Sequence, residues 1–126
     1  GVRPDARILS AELDPTLAEA AGEIFEADDQ VEVLAADWST MRDKGPFSLL
    51  FLDAREPKNA GADTIIDLVE PGGVVVLDDF TPCSSWPPVY EGRVDVLREQ
   101  WLTDERFTSV EVMVAEDASV LIATKR

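Results

Sequence analysis

The chain has 126 residues, 45% of them hydrophobic, and its 26 acidic and 11 basic residues make a formal net charge of −15. This length and hydrophobic content suit one globular domain with a buried core, whereas the acidity excludes a nucleic-acid partner because the chain repels phosphate backbones. The sequence contains no histidine, which also excludes a Ser-His-Asp triad, histidine-ligated zinc and imidazole base catalysis. A single cysteine, Cys83, together with the lack of a signal peptide and of an apolar run of roughly 20 residues, predicts a cytoplasmic protein without a membrane partner.

Strands and helices alternate in the first half of the sequence. Three apolar runs predict strands, at residues 7–11, 31–36 and 47–52. Between the first two, Asp14-Pro15 predicts a helix start, because aspartate caps a helix N-terminus and proline fits the first turn. Apolar residues from Leu17 to Phe25 then recur at helical spacing.

The second half continues this alternation. Helices are predicted over residues 59–69, closed by Pro71-Gly72-Gly73, and 89–102, a fourth strand over residues 74–77, and two last strands over residues 110–114 and 120–124. The segment TPCSSWPP predicts a loop after the fourth strand, because prolines and serines interrupt regular structure. The whole pattern predicts an α/β fold: a doubly wound, mostly parallel sheet covered on both faces, with an antiparallel C-terminal hairpin.

Each of the four predicted parallel strands ends in an acid. These acids are Glu12, Asp37, Asp53 and the pair Asp78-Asp79. Ligands of doubly wound sheets bind outside the carboxyl ends of the strands, so the acids are predicted to line one rim. Aspartate also follows strands because it favours turns and caps helices. For any single one of these acids, that preference is a better explanation than a binding site. A ligand-binding site is the better explanation for acids at all four strand ends, one of which carries two aspartates.

The acids suggest separate chemical roles. Glu12 is placed to accept protons from both hydroxyls of a ribose, and Asp37-Trp38 could contact a purine edge, although ordinary packing explains the tryptophan equally well. Asp53 and the paired aspartates form an oxygen-only cluster, which Mg²⁺ or Ca²⁺ prefers. Because neighbouring side chains on a regular strand point to opposite faces, the pair can share an ion only if the strand breaks between them or the ion lies beyond the sheet edge.

Four segments in order resemble a known family. ARILSAELDPTLAEAAGEIF, VEVLAADW, PFSLLFLDA and LVEPGGVVVLDDF are similar to segments of class I S-adenosylmethionine-dependent O-methyltransferases, in the metal-dependent branch that includes the catechol and caffeoyl-CoA enzymes. The resemblance runs from about residue 6 to residue 82 and includes the final hairpin. It implies a Rossmann-like methyltransferase domain over residues 1–126, with S-adenosylmethionine as cofactor.

The resemblance also implies roles for individual residues. Glu12 matches the acid that holds the cofactor ribose, and Asp37 and Trp38 match positions that contact adenine. The implied cofactor-binding residues are Glu12, Leu13, Asp37, Trp38 and Asp53, and the implied ligands of Mg²⁺ or another divalent cation are Asp53, Asp78 and Asp79. The metal would hold a substrate hydroxyl and lower its pKa, and the oxyanion would attack the sulfonium methyl in line.

The general base departs from the family pattern. Catechol-type relatives place a lysine three residues after the first metal aspartate, where this chain has Glu56. Lys58 or Asp53 could take that role, and these two are the candidate catalytic residues. A solvated surface lysine is the favoured explanation of Lys58.

The family's first strand and its glycine-rich loop do not match any part of the chain. In the family's sheet this strand lies between the strands that end at Glu12 and Asp53, and without it two rows of backbone groups would lose their partners. The chain is therefore expected to be an N-terminally truncated fragment that is inactive and binds the cofactor weakly at most. Another segment filling the gap, or direct pairing of the flanking strands, are the alternatives.

The predicted function is S-adenosylmethionine-dependent O-methylation of a hydroxyl on a small molecule, with divalent-metal assistance. The alternative is a non-catalytic acidic α/β module, either a degenerate methyltransferase fold or a metal-binding regulatory domain. Trp86 and Tyr90 either flank the acceptor or pack their loop, and Asp95, Arg98 and Glu99 are predicted to form a solvated helix face. The sequence is also compatible with a homodimer.

Overall fold

The computed structural model describes residues 5–126, which fall into two compact units that meet between Lys44 and Gly45. No helix within the described residues is long and apolar enough to cross a membrane.

The first unit is a strand–helix–strand element followed by a short 3-10 helix. Its elements are β1 (Ile8–Glu12), α1 (Pro15–Ile24), β2 (Val31–Ala35) and a 3-10 helix (Trp38–Asp43). β1 and β2 are parallel neighbours, with Ile8 opposite Val31 and Glu12 opposite Ala35. The carboxyl ends of both strands therefore lie at the same edge of this pair.

The start of α1 is set by the local sequence. The Oδ1 atom of Asp14 accepts hydrogen bonds from the backbone N–H groups of Thr16 and Leu17 at 2.8 and 3.3 Å, and Pro15 is the first helical residue. These bonds satisfy donors that have no partner inside the helix. The predicted cap is confirmed.

The second unit is built on a four-stranded sheet. Its elements are β3 (Phe47–Leu52), α2 (Arg55–Asn59), α3 (Gly61–Ile65), a 3-10 helix (Ile66–Leu68), β4 (Val69–Phe80), β5 (Val89–Tyr90), β6 (Arg93–Val94), α4 (Val96–Thr103), β7 (Phe107–Met113) and β8 (Ser119–Lys125). The strand order is β3-β4-β8-β7. β3 and β4 are parallel, and β8 pairs antiparallel with both β4 and β7, so the predicted terminal hairpin is confirmed.

One face of this sheet carries the core of the second unit. The rings of Trp101 on α4 and Phe107 on β7 lie 5.2 Å apart between centroids, and α4 packs against β7 and β8. Leu77 and Leu121 are neighbours across β4 and β8 on the same face and are fully buried. Burial of each such side chain contributes roughly 1.5–3 kcal/mol of transfer free energy.

The predicted helix over residues 59–69 is wrong in its bounds. The helical segment begins earlier, at Arg55, and is divided into α2 and α3 at Gly61, whose φ is +75°. A right-handed helix needs a negative φ, and glycine is the residue that adopts the positive value at least cost.

The fourth strand is longer than predicted. β4 begins at Val69 and passes through the proline–glycine segment, where Gly72 has a φ of +80° and the register against β3 shifts. At its other end β4 continues to Phe80, although its register with β8 shifts between Leu77 and Phe80. The paired aspartates therefore lie in an irregular stretch of the strand and not beyond its end.

The predicted helix over residues 89–102 is half right. Its first part is a small hairpin, β5 and β6, turned by Glu91 and Gly92 with φ values of +49° and +75°. A two-residue turn with two positive φ values matches the twist of a hairpin. The helix begins only at Val96, where the carboxylate of Asp95 accepts the backbone N–H of Arg98 at 3.1 Å.

Candidate functional site

The first unit places Glu12 and Asp37 at the same strand edge. Glu12 is the last residue of β1, and its backbone carbonyl accepts the N–H of Ala36 at 3.0 Å. Its Oε1 atom accepts the N–H of Asp14 at 2.8 Å. The side chain is half-buried and leaves its second oxygen for a ligand, which fits the role predicted for it at a ribose. Leu13, which follows it, is 71% exposed.

Asp37 caps the 3-10 helix that follows β2. Its Oδ1 atom accepts the backbone N–H of Ser39 at 2.9 Å. Hydrogen bonds from the side chain and then the backbone of Ser39 lower the pKa of this carboxyl below its usual range, because they stabilise the charged form. The general tendency of aspartate to cap helices thus accounts for part of its position.

Trp38 has a partner inside the first unit. The guanidinium carbon of Arg42 lies 5.3 Å from the centroid of its ring, a cation–π distance. The indole is half-buried, so the contact with Arg42 leaves part of it accessible. The two explanations predicted for this tryptophan are therefore compatible.

The second unit brings Asp53, Asp78 and Asp79 to the edge where β3 and β4 run side by side. Leu52 and Leu77 are register partners on these parallel strands, so Asp53 and Asp78, which follow them, lie at the same level of the sheet. The backbone of Asp79 has a φ of +61°, in the left-handed region that non-glycine residues rarely occupy. Asp78 and Asp79 could bind the same ion only if the strand were interrupted between them, and this interruption is present.

These carboxylates do not form a metal centre. Within residues 5–126 no three histidine, cysteine, aspartate or glutamate side chains are arranged so that they could hold one metal ion. The Oδ1 atom of Asp78 accepts the N–H of Asp79 at 2.9 Å, so it serves the backbone of the bulge, and the side chain of Asp79 is 74% exposed. The side chains as placed do not fit a divalent ion.

Lys58 lies against this bulge and is not a solvated surface lysine. Its side chain is 12% exposed, and Nζ donates to the backbone carbonyl of Asp78 at 3.0 Å. The explanation favoured from sequence for this residue is wrong. The carboxylate of Asp79 is 4.0 Å away, so a lysine and an aspartate meet at the strand edge.

The prediction of a solvated helix face on α4 is wrong for Arg98. This side chain is 1% exposed, and its Nε and Nη1 atoms lie 3.1 and 3.2 Å from carboxylate oxygens of Asp95 and Glu111. Its guanidinium carbon lies 5.2 Å from the centroid of Phe80, the residue after the paired aspartates. Two carboxylates and an aromatic ring replace the water that a buried guanidinium loses.

Glu111 and Ser119 extend this buried cluster and were missed in the sequence. The Oγ atom of Ser119 lies 2.6 Å from the Oε1 atom of Glu111 and 3.2 Å from the carbonyl of Phe80. The available signal was alternation, because residues 107, 109, 111 and 113 share one face of β7. An acid on the covered face of an apolar strand indicates a buried partner, and that partner is Arg98.

A cavity lies beside the end of β4. It has a volume of about 510 Å³ and is lined by Pro82, Cys83, Ser84, Glu111 and Met113. This volume lies within the range of about 300–1,000 Å³ that is usual for ligand pockets, and the cavity is broadly open to solvent. Hydrogen bonds from the Ser85 hydroxyl and then from the Val89 backbone lower the pKa of the Cys83 thiol.

The loop between β4 and α4 exposes both aromatic residues predicted to flank an acceptor. Trp86 is 63% exposed and Tyr90 is 51% exposed. Tyr90 lines a second cavity of about 380 Å³. Packing of the loop does not bury these rings, so they are available to a ligand.

Solved structures show which fold this is. The chain superposes on the SAH-bound methyltransferase PaMTH1 of Podospora anserina with a TM-score of 0.71 and 20% identity, over 96% of this chain and 61% of that one. It superposes on a Staphylococcus aureus protein assigned as a caffeoyl-CoA O-methyltransferase with a TM-score of 0.72 and 14% identity, over 98% and 66%. For the N-methyltransferase NodS of Bradyrhizobium japonicum the values are 0.58 and 16%, over 94% and 73%.

No protein-family model matches the sequence, and no curated protein is significantly similar to it. The chain spans about 61% of the length of PaMTH1. The superpositions show that the chain has the Rossmann-like fold of these methyltransferases, and the predicted fold class is confirmed.

Proposed function

We propose that this chain is the larger part of an S-adenosylmethionine-dependent methyltransferase that acts on a hydroxyl of a small molecule. The observation that carries the proposal is the superposition on methyltransferase folds, among them one with SAH bound. Two features of this chain support it independently: acids lie at or just after the carboxyl ends of β1, β2 and β3, and a cavity of ligand size lies beside the end of β4.

The first unit supplies the proposed cofactor contacts. The free carboxylate oxygen of Glu12 accepts hydrogen bonds from the ribose hydroxyls, with Leu13 next to the sugar. Asp37 and Trp38 contact the adenine. A hydrogen bond to a charged group contributes about 1.5–3 kcal/mol, so loss of the Glu12 carboxylate should weaken cofactor binding measurably.

The chemistry needs one proton acceptor. The acceptor hydroxyl gives up its proton as its oxygen forms a bond to the methyl carbon, and the bond from that carbon to the sulfonium sulfur breaks. S-adenosylhomocysteine then leaves as a neutral thioether. Asp53 and Lys58 are the proposed base candidates, because both lie at the edge of β3 and β4. Exposed Trp86 and Tyr90 are proposed to contact the acceptor.

Divalent-metal assistance stays a prediction without support from side-chain placement. No step of the proposed mechanism runs through a metal, because the described carboxylates do not surround one point. The proposal that residues precede Gly1 in the native protein is tested by the reading frame upstream of this residue.

The experiment is calorimetric titration of the protein from its full reading frame with S-adenosylhomocysteine, followed by a methyl-transfer assay on a panel of catechols and sugar alcohols. Glu12→Gln keeps an acceptor for the N–H of Asp14 but removes the charge, and it should weaken binding roughly tenfold to hundredfold. Glu19→Gln on the exposed side of α1 is the matched control and should change nothing. The 126-residue chain alone is expected to show no tight site.

Three results would count against the proposal. If the full-length protein bound no S-adenosylhomocysteine, the non-catalytic acidic module would be the better description. Equal effects of the two glutamine substitutions would remove Glu12 from the site. Methylation of amines but not of hydroxyls would favour an N-methyltransferase, the activity named for NodS.

A further inference from the structure

Lys58 is a nearly buried lysine whose ammonium is held by β4. Its side chain is 12% exposed, and Nζ donates to the carbonyl of Asp78 at 3.0 Å and lies 4.0 Å from Oδ2 of Asp79. Lysine is almost never buried unless partners replace its hydration. The residue comes from α2, shortly after β3, so this contact joins the segment that follows β3 to the irregular stretch of β4.

The bulge in β4 gives the two aspartates different partners. The carboxylate of Asp78 accepts the N–H of Asp79, and the left-handed backbone of Asp79 sends its own carboxylate toward solvent, where it is 74% exposed on the side of Lys58. Only one of the pair therefore interacts with the ammonium through its side chain. The other presents its backbone carbonyl.

Adjacent carboxylates repel each other unless water or a positive charge compensates. At this edge the positive charge belongs to the chain itself. No three potential metal ligands among residues 5–126 converge on one point, while an ammonium stands within ion-pair distance of Asp79. The donor set that Mg²⁺ requires, several oxygens in a near-ideal octahedron, is not what these residues form.

We propose that the ammonium of Lys58 takes the place of a divalent cation at the ends of β3 and β4, and that methyl transfer by this protein does not require a metal ion. The inference rests on the proposed function and deepens it. Lys58 is a positioning residue in this scheme: it compensates the charge of Asp79 and holds the bulge through the carbonyl of Asp78. Because an ammonium has no lone pair that could accept the hydroxyl proton, the base in this scheme is Asp53.

Mn²⁺ binding, followed by electron paramagnetic resonance, tests the inference without an acceptor substrate. Wild-type protein should show no saturable Mn²⁺ site that depends on Asp79. Lys58→Met removes the charge and keeps the length of the side chain, so it should raise Mn²⁺ affinity roughly fivefold to tenfold. Lys44→Met changes the net charge equally at an exposed lysine in the first unit and should leave the affinity unchanged.

Asp79→Asn provides the second arm. Introduced into the Lys58→Met protein, it should abolish the gained Mn²⁺ affinity, while in the wild type it should have no effect. A wild-type Mn²⁺ site that Asp79→Asn weakens would overturn the inference, and this comparison holds even if Lys58→Met does not fold. A folded Lys58→Met protein that binds Mn²⁺ no better than Lys44→Met would overturn it as well.

The activity arm separates this inference from the proposed function. With the full-length protein, EDTA should leave methyl transfer unchanged. Loss of transfer in EDTA with recovery on added Mg²⁺ would overturn the metal-free role of Lys58 while supporting methyltransferase activity. Binding of S-adenosylhomocysteine is measured in parallel, and its absence would defeat the proposed function irrespective of the Mn²⁺ result.

Discussion

The two faces of the sheet in residues 45–126 have similar apolar sequences and opposite surroundings. Across one face, Leu52, Leu77 and Leu121 are register neighbours and at most 7% exposed. Across the other, Phe51, Val76, Ile122 and Val110 are neighbours in the same order, and Phe51 and Val110 are 61% and 53% exposed. An apolar strand pattern thus shows that a residue can be buried, whereas the packing of helices decides which face is.

The comparison of the two faces also shows which side chains contribute most to the stability of the fold. α4 covers the first face through Trp101 and Arg98, both of which are almost completely buried. A side chain on that face loses its contacts and leaves a cavity when it is shortened, whereas a side chain on the open face loses little. The same substitution on both faces should therefore give very different results.

The largest expected effect is at Leu77. Leu77→Ala should destabilise the protein by about 2–5 kcal/mol, because it empties a fully enclosed position. Leu49→Ala is the matched control on β3, since Leu49 is 60% exposed, and it should cost less than about 1 kcal/mol. Urea denaturation followed by circular dichroism measures both. Similar losses would mean that the open face is covered in solution.

A smaller effect is expected for the charged part of the covered face. Arg98→Met leaves the carboxylates of Asp95 and Glu111 without their cation. The cost should be roughly 2–3 kcal/mol, below the usual figure for a broken buried pair, because these carboxylates keep some contact with water. Arg93→Met at an exposed position is the control.

The double variant Arg98→Met/Glu111→Met sharpens this result. Replacing both members of a buried ion pair with apolar side chains is often neutral, so it should recover part of the stability lost in Arg98→Met. A double variant less stable than the sum of the two single variants would indicate that the cluster contributes through packing and not through charge.

The smallest expected effect concerns surface ion pairs that connect the α3 and α4 regions. Arg106 pairs with Asp63 on α3 and Asp104 after α4, both at 2.6 Å, and its hydrogen bonds lower the pKa of Asp104. A folded pKa below the unfolded value stabilises the protein above about pH 4, and this contribution is lost as the pH falls through the lower folded value. Asp104→Asn should therefore cost about 0.2–1 kcal/mol at pH 7.

The difference between wild type and Asp104→Asn should shrink as the pH is lowered from 5 through the folded pKa of the aspartate, which its hydrogen bonds to Arg106 hold below the usual value. Thermal unfolding at a series of pH values measures it. Asp67→Asn, a substitution in the 3-10 helix before β4, is the control for general acid effects. A difference that stays constant with pH would assign the effect of Asp104 to its backbone cap alone.

The elements with strong local signals were predictable. The Asp14 cap, β3 and the terminal hairpin follow from aspartate before proline, an unbroken apolar run and two apolar runs around a polar turn. The strand-end positions of Glu12, Asp37 and Asp53 follow in the same way. The grouping of all these acids on one rim stays a prediction.

The failures have specific physical causes. Val89-Tyr90 and Arg93-Val94 satisfy a helical spacing as well as a strand pairing, and the turn at Glu91-Gly92 favours the pairing. Arg98 was taken as solvated because charge predicts exposure on average. Its partner Glu111 is 13 residues away in sequence, beyond the reach of any local pattern.

The sequence by itself determined the start of α1, the bounds of β3 and the terminal hairpin, because caps, turns and apolar patterns act within a few residues. Only the tertiary structure decided which sheet face is covered, that Arg98 is buried, and that the ammonium of Lys58 lies beside Asp79. These depend on residues brought together from distant strands, and the free energy of a charge depends on the neighbours and water around it, which local sequence does not specify.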